Sequence, residues 1–595
     1  MSCARLPGPV VLVFLLLTGC QQQASPEPLK VYRHALDGVP SSLDPAHADD
    51  IYAATLVGNL YDTLYRYKYL ARPHELTPNL AADFPQVSDD GLTYRIRLRE
   101  DARFADDPAF PGGHGRAVTA EDVVYSLKRH FLAETRSRGD WLWRGRIVGL
   151  DPDTRLDTPD QPVAGLAAED RSTVRIRLGA PYPQFAHTLA MALSAIVPRE
   201  AVEHYGREFG VHPVGSGPFR LVHFDESRAV LEPNPHFRRG PIDLDAEGYD
   251  AELHHGYALE GVDGKAYPLL DRLEIHFIPE PTGRWTSFIS GSGVDFVMVP
   301  PELSERVLVG REPPMFSREM RQRYHSRHAV EAGFAFYGFN MANPAIGHNP
   351  DPRRAQRNRA LRCAMRDAFD WDSRNRSFHH GLGHIFPGAI PPLLPDFDAR
   401  LSGDSTAHRP ERARQRLADA DWSPDRLPEL VYGMEASVHQ RQMFEQFRSW
   451  MDAIGYPAGK LSARTFASFG EYARAIGNRR LDIFLLGWTL AYPDAQYSLQ
   501  LFYGPNAAPG ANSFNYANED FDRLFELAAT LPPGPERTRL YRQLNEMVID
   551  DCVLIGSISR TRLYLWKRHV RMLPDTEMGN GEFLRFVDVI EGSAE

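Results

Sequence analysis

Cysteine is nearly absent, with four residues in 595, at positions 3, 20, 363 and 552. That scarcity excludes the disulfide framework on which small secreted domains depend. No apolar run reaches the roughly 20 residues that crossing a bilayer requires. The net charge of −11 leaves no basic excess to neutralise phosphates, so no nucleic-acid partner is expected. Lysine is scarce, and arginine carries nearly all the positive charge. Signatures of catalysis are missing as well. No Gly-x-x-x-x-Gly-Lys-Ser/Thr loop and no Gly-x-Ser-x-Gly elbow occurs. His379-His380-Gly381-Leu382-Gly383-His384 lacks the His-x-x-x-His spacing of a helical metal site and reads as a solvent-exposed loop. Its Gly381-x-Gly383 pair has no glycine three residues on, so the dinucleotide fingerprint fails. Asp89-Asp90 and Asp550-Asp551 are sequence neighbours, a turn and a helix end, not an acid/base pair facing across a cleft. Nothing here calls for an enzyme, a metal or a cofactor.

What is present begins at the N-terminus. Arg5 precedes a short apolar run, Val10 to Leu17, the pattern of a cleaved signal peptide over residues 1–19. The run ends in Leu17-Thr18-Gly19-Cys20, which resembles the bacterial lipobox and implies lipidation of Cys20. More than one acyl chain gives stable anchoring where one does not. Residues 20–27 then read as a polar tether through Gln21 to Pro26, and which membrane holds the anchor stays open. Cys363 and Cys552 remain in the mature chain. Each sits in an apolar context and reads as a buried, inert thiol, with pairing left open.

Apolar content of 43% and charge of 24% are those of a globular protein, and the length calls for several domains. Strands and helices alternate throughout. Thr93 to Leu98, Thr173 to Leu178 and Leu273 to Phe277 alternate apolar and polar residues, as half-buried strands do. Thr119-Ala120-Glu121-Asp122 is a capping-box pattern opening a helix with Val123, Leu127 and Phe131 on one face. Leu361, Ala364, Met365, Ala368 and Phe369 share one face of another. Val438 to Met451 and Phe521 to Val548 supply further helices, while 106–115 and 240–264 are Pro/Gly-rich loops. The fold class is a multi-domain α/β architecture.

Several segments resemble, in order and spacing, the peptide- and nickel-type (family 5) solute-binding proteins of ABC importers. They include Ser42-Leu43-Asp44-Pro45, Asn59 to Leu64, Leu76 to Ala81, Ser88 to Tyr94, Val118 to Leu127, Pro213 to Phe219 and Arg359 to Arg362. Together they run from about residue 30 to beyond 560. The resemblance implies a two-lobed, periplasmic-binding-protein-like fold (type II, cluster C) with an extra subdomain in the first lobe. Lobe 1 would comprise 28–61, 198–332 and 557–595 with the subdomain 62–197 inserted, and lobe 2 would be 333–556. It also implies a monomer on the periplasmic side of a bacterial envelope, lipid-anchored and serving an ABC permease and its ATPase subunits. A peptide or other small polar solute would be trapped as the lobes close. A sensor or adhesin on the same fold is the rival reading.

Leu485 to Asp494 follows an apolar strand, so its residues emerge at a strand's C-terminal end, a usual ligand position. In peptide-binding relatives a Gly-Trp-x-x stretch is followed by an Asp that pairs with the ligand's ammonium; here Gly487-Trp488-Thr489-Leu490 is followed by Ala491. An unpaired buried ammonium costs several kcal/mol, so the carboxylate must come from Asp494, Asp49 or Asp50, or the ligand is a blocked peptide or a sugar. Trp488 and Tyr492 would line lobe 2 with Phe336, while Trp141 and Arg138 would reach in from the subdomain. The alternatives are a core tryptophan for Trp488, a solvated turn for Asp49 and Asp50, and a surface residue of an Arg-rich helix for Arg138.

Overall fold

The structure is a computed structural model describing residues 28–590, apart from 49, 138, 292, 509 and 575–580. The signal, Cys20 and the tether lie outside the described residues, as do Asp49 and Arg138.

Two large apolar cores divide the chain. The first gathers buried side chains from Tyr32 to Phe277 and from Tyr564 to Val587. The second runs from Phe334 to Ile558. A smaller one, with Phe288, Val297, Val307 and Leu565, lies beside them. The first core underlies two four-stranded sheets. One has Val31–Leu36 parallel to Arg272–Phe277, with Arg228–Pro233 and Phe219–Phe224 added antiparallel. The other is antiparallel and carries Thr93–Arg97 and Thr173–Arg177 at its centre. Buried Ile96 and Val174 of that second sheet belong to the same continuous core, so residues 62–197 pack onto the first lobe without an apolar break.

An eight-stranded sheet links the cores, in the order Phe296–Met298, Leu554–Lys567, Gly333–Phe339, Ile483–Thr489, Leu430–Glu435, Leu461–Phe466; Tyr324–Val330 and Gly383–Phe386 also pair with Leu554–Lys567. Leu554–Lys567 is the spine. Its residues 561–567 pair with Tyr324–Val330, and Ile558 pairs with Ala335 beyond the crossover. The chain therefore crosses from one core to the other around Glu331–Ala332 and again around Ser559–Arg560. The spine is buried nearly throughout, with apolar runs at both ends and a polar middle from Ser557 to Arg562; Arg560 is its exposed position.

Local chemistry explains the elements. Thr119 and Asp122 form the capping box of Ala120–Arg129, with the Thr119 amide donating to Asp122 at 2.8 Å. Asp351 caps Pro352–Ala368, whose Leu361, Ala364, Met365 and Ala368 are buried. Burying such a leucine is worth roughly 1.5–3 kcal/mol. The stretch read as one helix from Phe521 to Val548 is two, Glu519–Thr530 and Pro535–Asp550. Pro532, Pro533 and Gly534 break it, because proline supplies no amide and clashes with the preceding turn. At Gly215 the backbone passes so close to the end of helix Ile51–Leu60 that a Cβ would sit 2.1 Å from the Leu60 carbonyl oxygen. That contact seats the helix whose first turn reaches the cleft.

The cysteine reading is corrected. Cys363 and Cys552 form a disulfide with Cα atoms 5.3 Å apart, joining helix Pro352–Ala368 to the turn after Pro535–Asp550. Its apolar context marked Cys363 as buried, but 189 residues of separation hide the partner from any local pattern.

Candidate functional site

A cleft of about 520 Å³ opens where the two lobes meet. The first lobe contributes Asp37, Ile51, Tyr52, Met298 and Tyr564. The second contributes Phe334, Glu435, Phe469, Tyr472 and the strand end Leu485 to Thr489. Glu331, Arg560 and Arg562 form its floor at the crossover. Glu435 and Thr489 end neighbouring parallel strands, so the ligand wall is the C-terminal edge of the sheet. Tyr472 fixes that wall: its hydroxyl donates to the Leu485 carbonyl at 2.9 Å and accepts from the Leu485 amide at 3.0 Å.

Trp488 and Thr489 line the cleft. The Trp488 indole N–H donates to the Tyr497 carbonyl at 3.1 Å, and its ring stacks on Tyr497 at 5.2 Å between centroids. Trp141, 42% exposed, approaches Tyr497 at 6.2 Å, continuing the aromatic run without reaching the cleft wall. Ala491 is half-buried and is not among the residues lining the cleft. Gly487 is exposed, and a Cβ there would meet only the Phe334 carbonyl oxygen, at 4.0 Å.

Other expected site residues lie elsewhere. Phe336 is buried in the second core, stacked on Phe514; Phe334, two positions earlier and part of the same core, is the phenylalanine that lines the cleft. Leu490 is a core residue. Tyr492 is buried between the lobes, its hydroxyl 2.9 Å from that of Tyr182 and donating to Gln496 at 2.6 Å. Asp494 is 4% exposed, accepts from the Gln496 amide at 2.9 Å and pairs with Arg537 at 2.9 Å. Gln184 reaches both Asp494 and Tyr541 across the same seam. Asp50 caps helix Ile51–Leu60, accepting from Ala53 at 2.8 Å. Asp494 is thus buried and committed to Arg537 and its own backbone, while Asp50 uses one carboxylate oxygen for its helix cap and is not among the residues lining the cleft. His187 stacks on Tyr492, and burial, helped by Arg537, lowers its imidazole to about 4.

Several lining residues escaped sequence reasoning. Glu331 accepts from Arg560 Nε at 2.6 Å and from Arg562 Nη2 at 3.0 Å. Burial works to raise its carboxyl, but the Arg560 hydrogen bond and both guanidinium charges outweigh it and hold it below the usual range. The available signal was Arg560 and Arg562 inside a largely buried strand, an unusual place for charge. Nor is the histidine loop simply exposed. His379 and His380 are half-buried and line a second cavity of about 320 Å³, and burial lowers His379 to about 4. Among the described residues no cluster of three or more His, Cys, Asp or Glu is arranged to hold a metal, and no helix is long and apolar enough to cross a membrane.

Two lobes hinged on crossing strands around a polar, aromatic cleft define a solute-binding architecture. The chain belongs to the bacterial extracellular solute-binding proteins, family 5, whose model matches residues 75–510. The glutathione-binding protein GsiB of Salmonella typhi is 23% identical over 515 residues, covering 85% of each chain. Among solved structures, the fold is shared with the periplasmic binding protein DppA of Helicobacter pylori in complex with the peptide STSA, at 19% identity, TM-score 0.68, and coverage of 94% of this chain and 98% of that one. It is shared too with the Escherichia coli murein tripeptide binding protein MppA, at 18% identity, TM-score 0.69, and coverage of 95% and 99%.

Proposed function

We propose that this protein captures an oligopeptide or similar polar solute between its lobes and delivers it to the permease of an ABC importer without altering it chemically. The cleft carries this reading: about 520 Å³, walled from both lobes, floored at the hinge, within the range of small-molecule sites. Relatives named for glutathione, a tetrapeptide complex and a murein tripeptide support a peptide-like ligand. The partition of apolar cores near residues 330 and 560 supports the lobe boundaries 28–61, 198–332 and 557–595 against 333–556, with 62–197 inserted. Lipidation at Cys20 would hold the protein at the envelope, and the Cys363–Cys552 bond suits an oxidising compartment there.

Gly487 supplies the test. Leucine at this position has room for its Cβ and favours the strand, yet its side chain projects into the cleft. The Gly487→Leu variant should melt like the wild type and lose the thermal shifts that peptide ligands produce. Undiminished shifts in that variant would place binding outside the cleft.

A further inference from the structure

The cleft and the smaller cavity share one wall, made by Arg560 and Arg562. Arg562 commits Nε and Nη2 to one oxygen of Glu331, at 3.2 and 3.0 Å. Arg560 commits its amide and Nε to the other oxygen, at 3.1 and 2.6 Å. One carboxylate thus balances two guanidinium groups, and the cluster carries a net charge of +1. The two terminal amino groups of Arg560 make no hydrogen bond to any described residue, and its side chain is 47% exposed. They form a planar fork aimed at open space, held in place from behind by Glu331.

The surrounding charges sharpen this. In the smaller cavity burial favours the neutral forms of His379 and His439, and the acid in the lining is Glu302, an exposed residue. In the cleft, Asp37 lies 3.8 Å from Arg284, and Glu435 stands at the far end of the sheet edge. From Glu435 to Arg560 the sheet crosses three strand spacings, roughly 14 Å at about 4.8 Å each.

Resting on the solute-binding reading above, we propose that the ligand carries a free carboxylate, which docks as a two-pronged pair on the terminal amino groups of Arg560 where cleft and side cavity meet. One planar fork and one net positive charge match a carboxylate; a phosphate dianion would need more donors than the wall presents. Arg562 and Glu331 are positioning residues, because they fix the guanidinium plane without reaching the ligand. Since Glu331 and Arg560 sit where the chain crosses between lobes, the docked anion lies at the hinge itself.

The test uses native mass spectrometry of the protein from Pro28 onward with two probe sets, a tetrapeptide library and a set of sugar acids, each as free acid and as amide. The wild type should hold free acids about 10- to 100-fold more tightly than amides, the range for a charge-assisted pair. Arg560→Gln should collapse that gap by weakening the acids alone, and Arg560→Lys should restore part of it. Gly487→Leu should lose acids and amides together. A wild type that binds amides as well as acids, or an Arg560→Gln variant that keeps the preference, overturns the proposal while leaving solute binding intact. Binding of neither set to the wild type overturns both.

Discussion

Breaking the Cys363–Cys552 bond should weaken the second lobe by a calculable amount. The bond closes a loop of 189 residues, for which the chain-entropy relation gives a ceiling of about 5 kcal/mol. The full ceiling is not expected, because disulfides commonly deliver less than the chain-entropy relation gives. Arg362, beside Cys363, donates to the carbonyls of Ile346, Asp551 and Cys552 at 2.6, 2.7 and 3.2 Å. Those bonds keep helix Pro352–Ala368 docked on the turn when the sulfurs part. A loss of about 2–5 kcal/mol is the prediction for the Cys363→Ser/Cys552→Ser variant. For a unit of roughly 200 residues that lowers the melting midpoint by about 5–15 °C. Calorimetry of the chain from Pro28 onward, with and without reductant, measures it. The wild type should fall to the variant's midpoint on reduction, and the variant should ignore reductant. Two free thiols in the denatured, unreduced wild type, or a variant that keeps the wild-type midpoint, would refute the reasoning.

Acid should destabilise the fold before carboxylates titrate. Burial lowers His34, His130 and His187 to about 4, while the unfolded chain protonates near 6.5. Because the folded values are the lower ones, this stability is complete above about pH 6.5 and is lost as pH falls toward 4. At pH 5 each histidine contributes a loss of about 2 kcal/mol, so melting midpoints should drop between pH 7 and 5 and drop less in His130→Gln. Flat midpoints over that window would contradict it. At the seam between lobes, Tyr182→Phe removes the hydroxyl pair with Tyr492 and should shift the closure equilibrium by about 1 kcal/mol toward open. Small-angle scattering should then show a larger radius of gyration; an unchanged profile would show that the seam does not hold the lobes together.

What could be read in the sequence was local. Alternation at Thr93 to Arg97 and Thr173 to Arg177, the capping box at Thr119 and the buried face of Leu361 to Ala368 are set by neighbours within one or two turns. Family resemblance carried the two-lobed fold across the rest. What stayed hidden depends on residues far apart. Tyr492 and Asp494 occupy promising positions after a strand, but Tyr182 and Arg537 from distant segments claim them. Glu331 meets Arg560 only because two crossover segments run side by side, and Cys363 meets Cys552 only because helix Pro352–Ala368 packs against the turn after Pro535–Asp550. Trp488 and Thr489 were legible as cleft residues because a strand's C-terminal end exposes its last side chains wherever the sheet edge is uncovered.

The central claim is that a small solute is bound between the lobes, and native mass spectrometry of gently purified protein from Pro28 onward tests it most directly. The account predicts a mass excess that denaturation releases as a peptide or other small polar acid, and that is absent from Gly487→Leu. A wild-type protein that carries no ligand and takes up none from peptide or sugar-acid pools, or a ligand retained undiminished by Gly487→Leu, would contradict it.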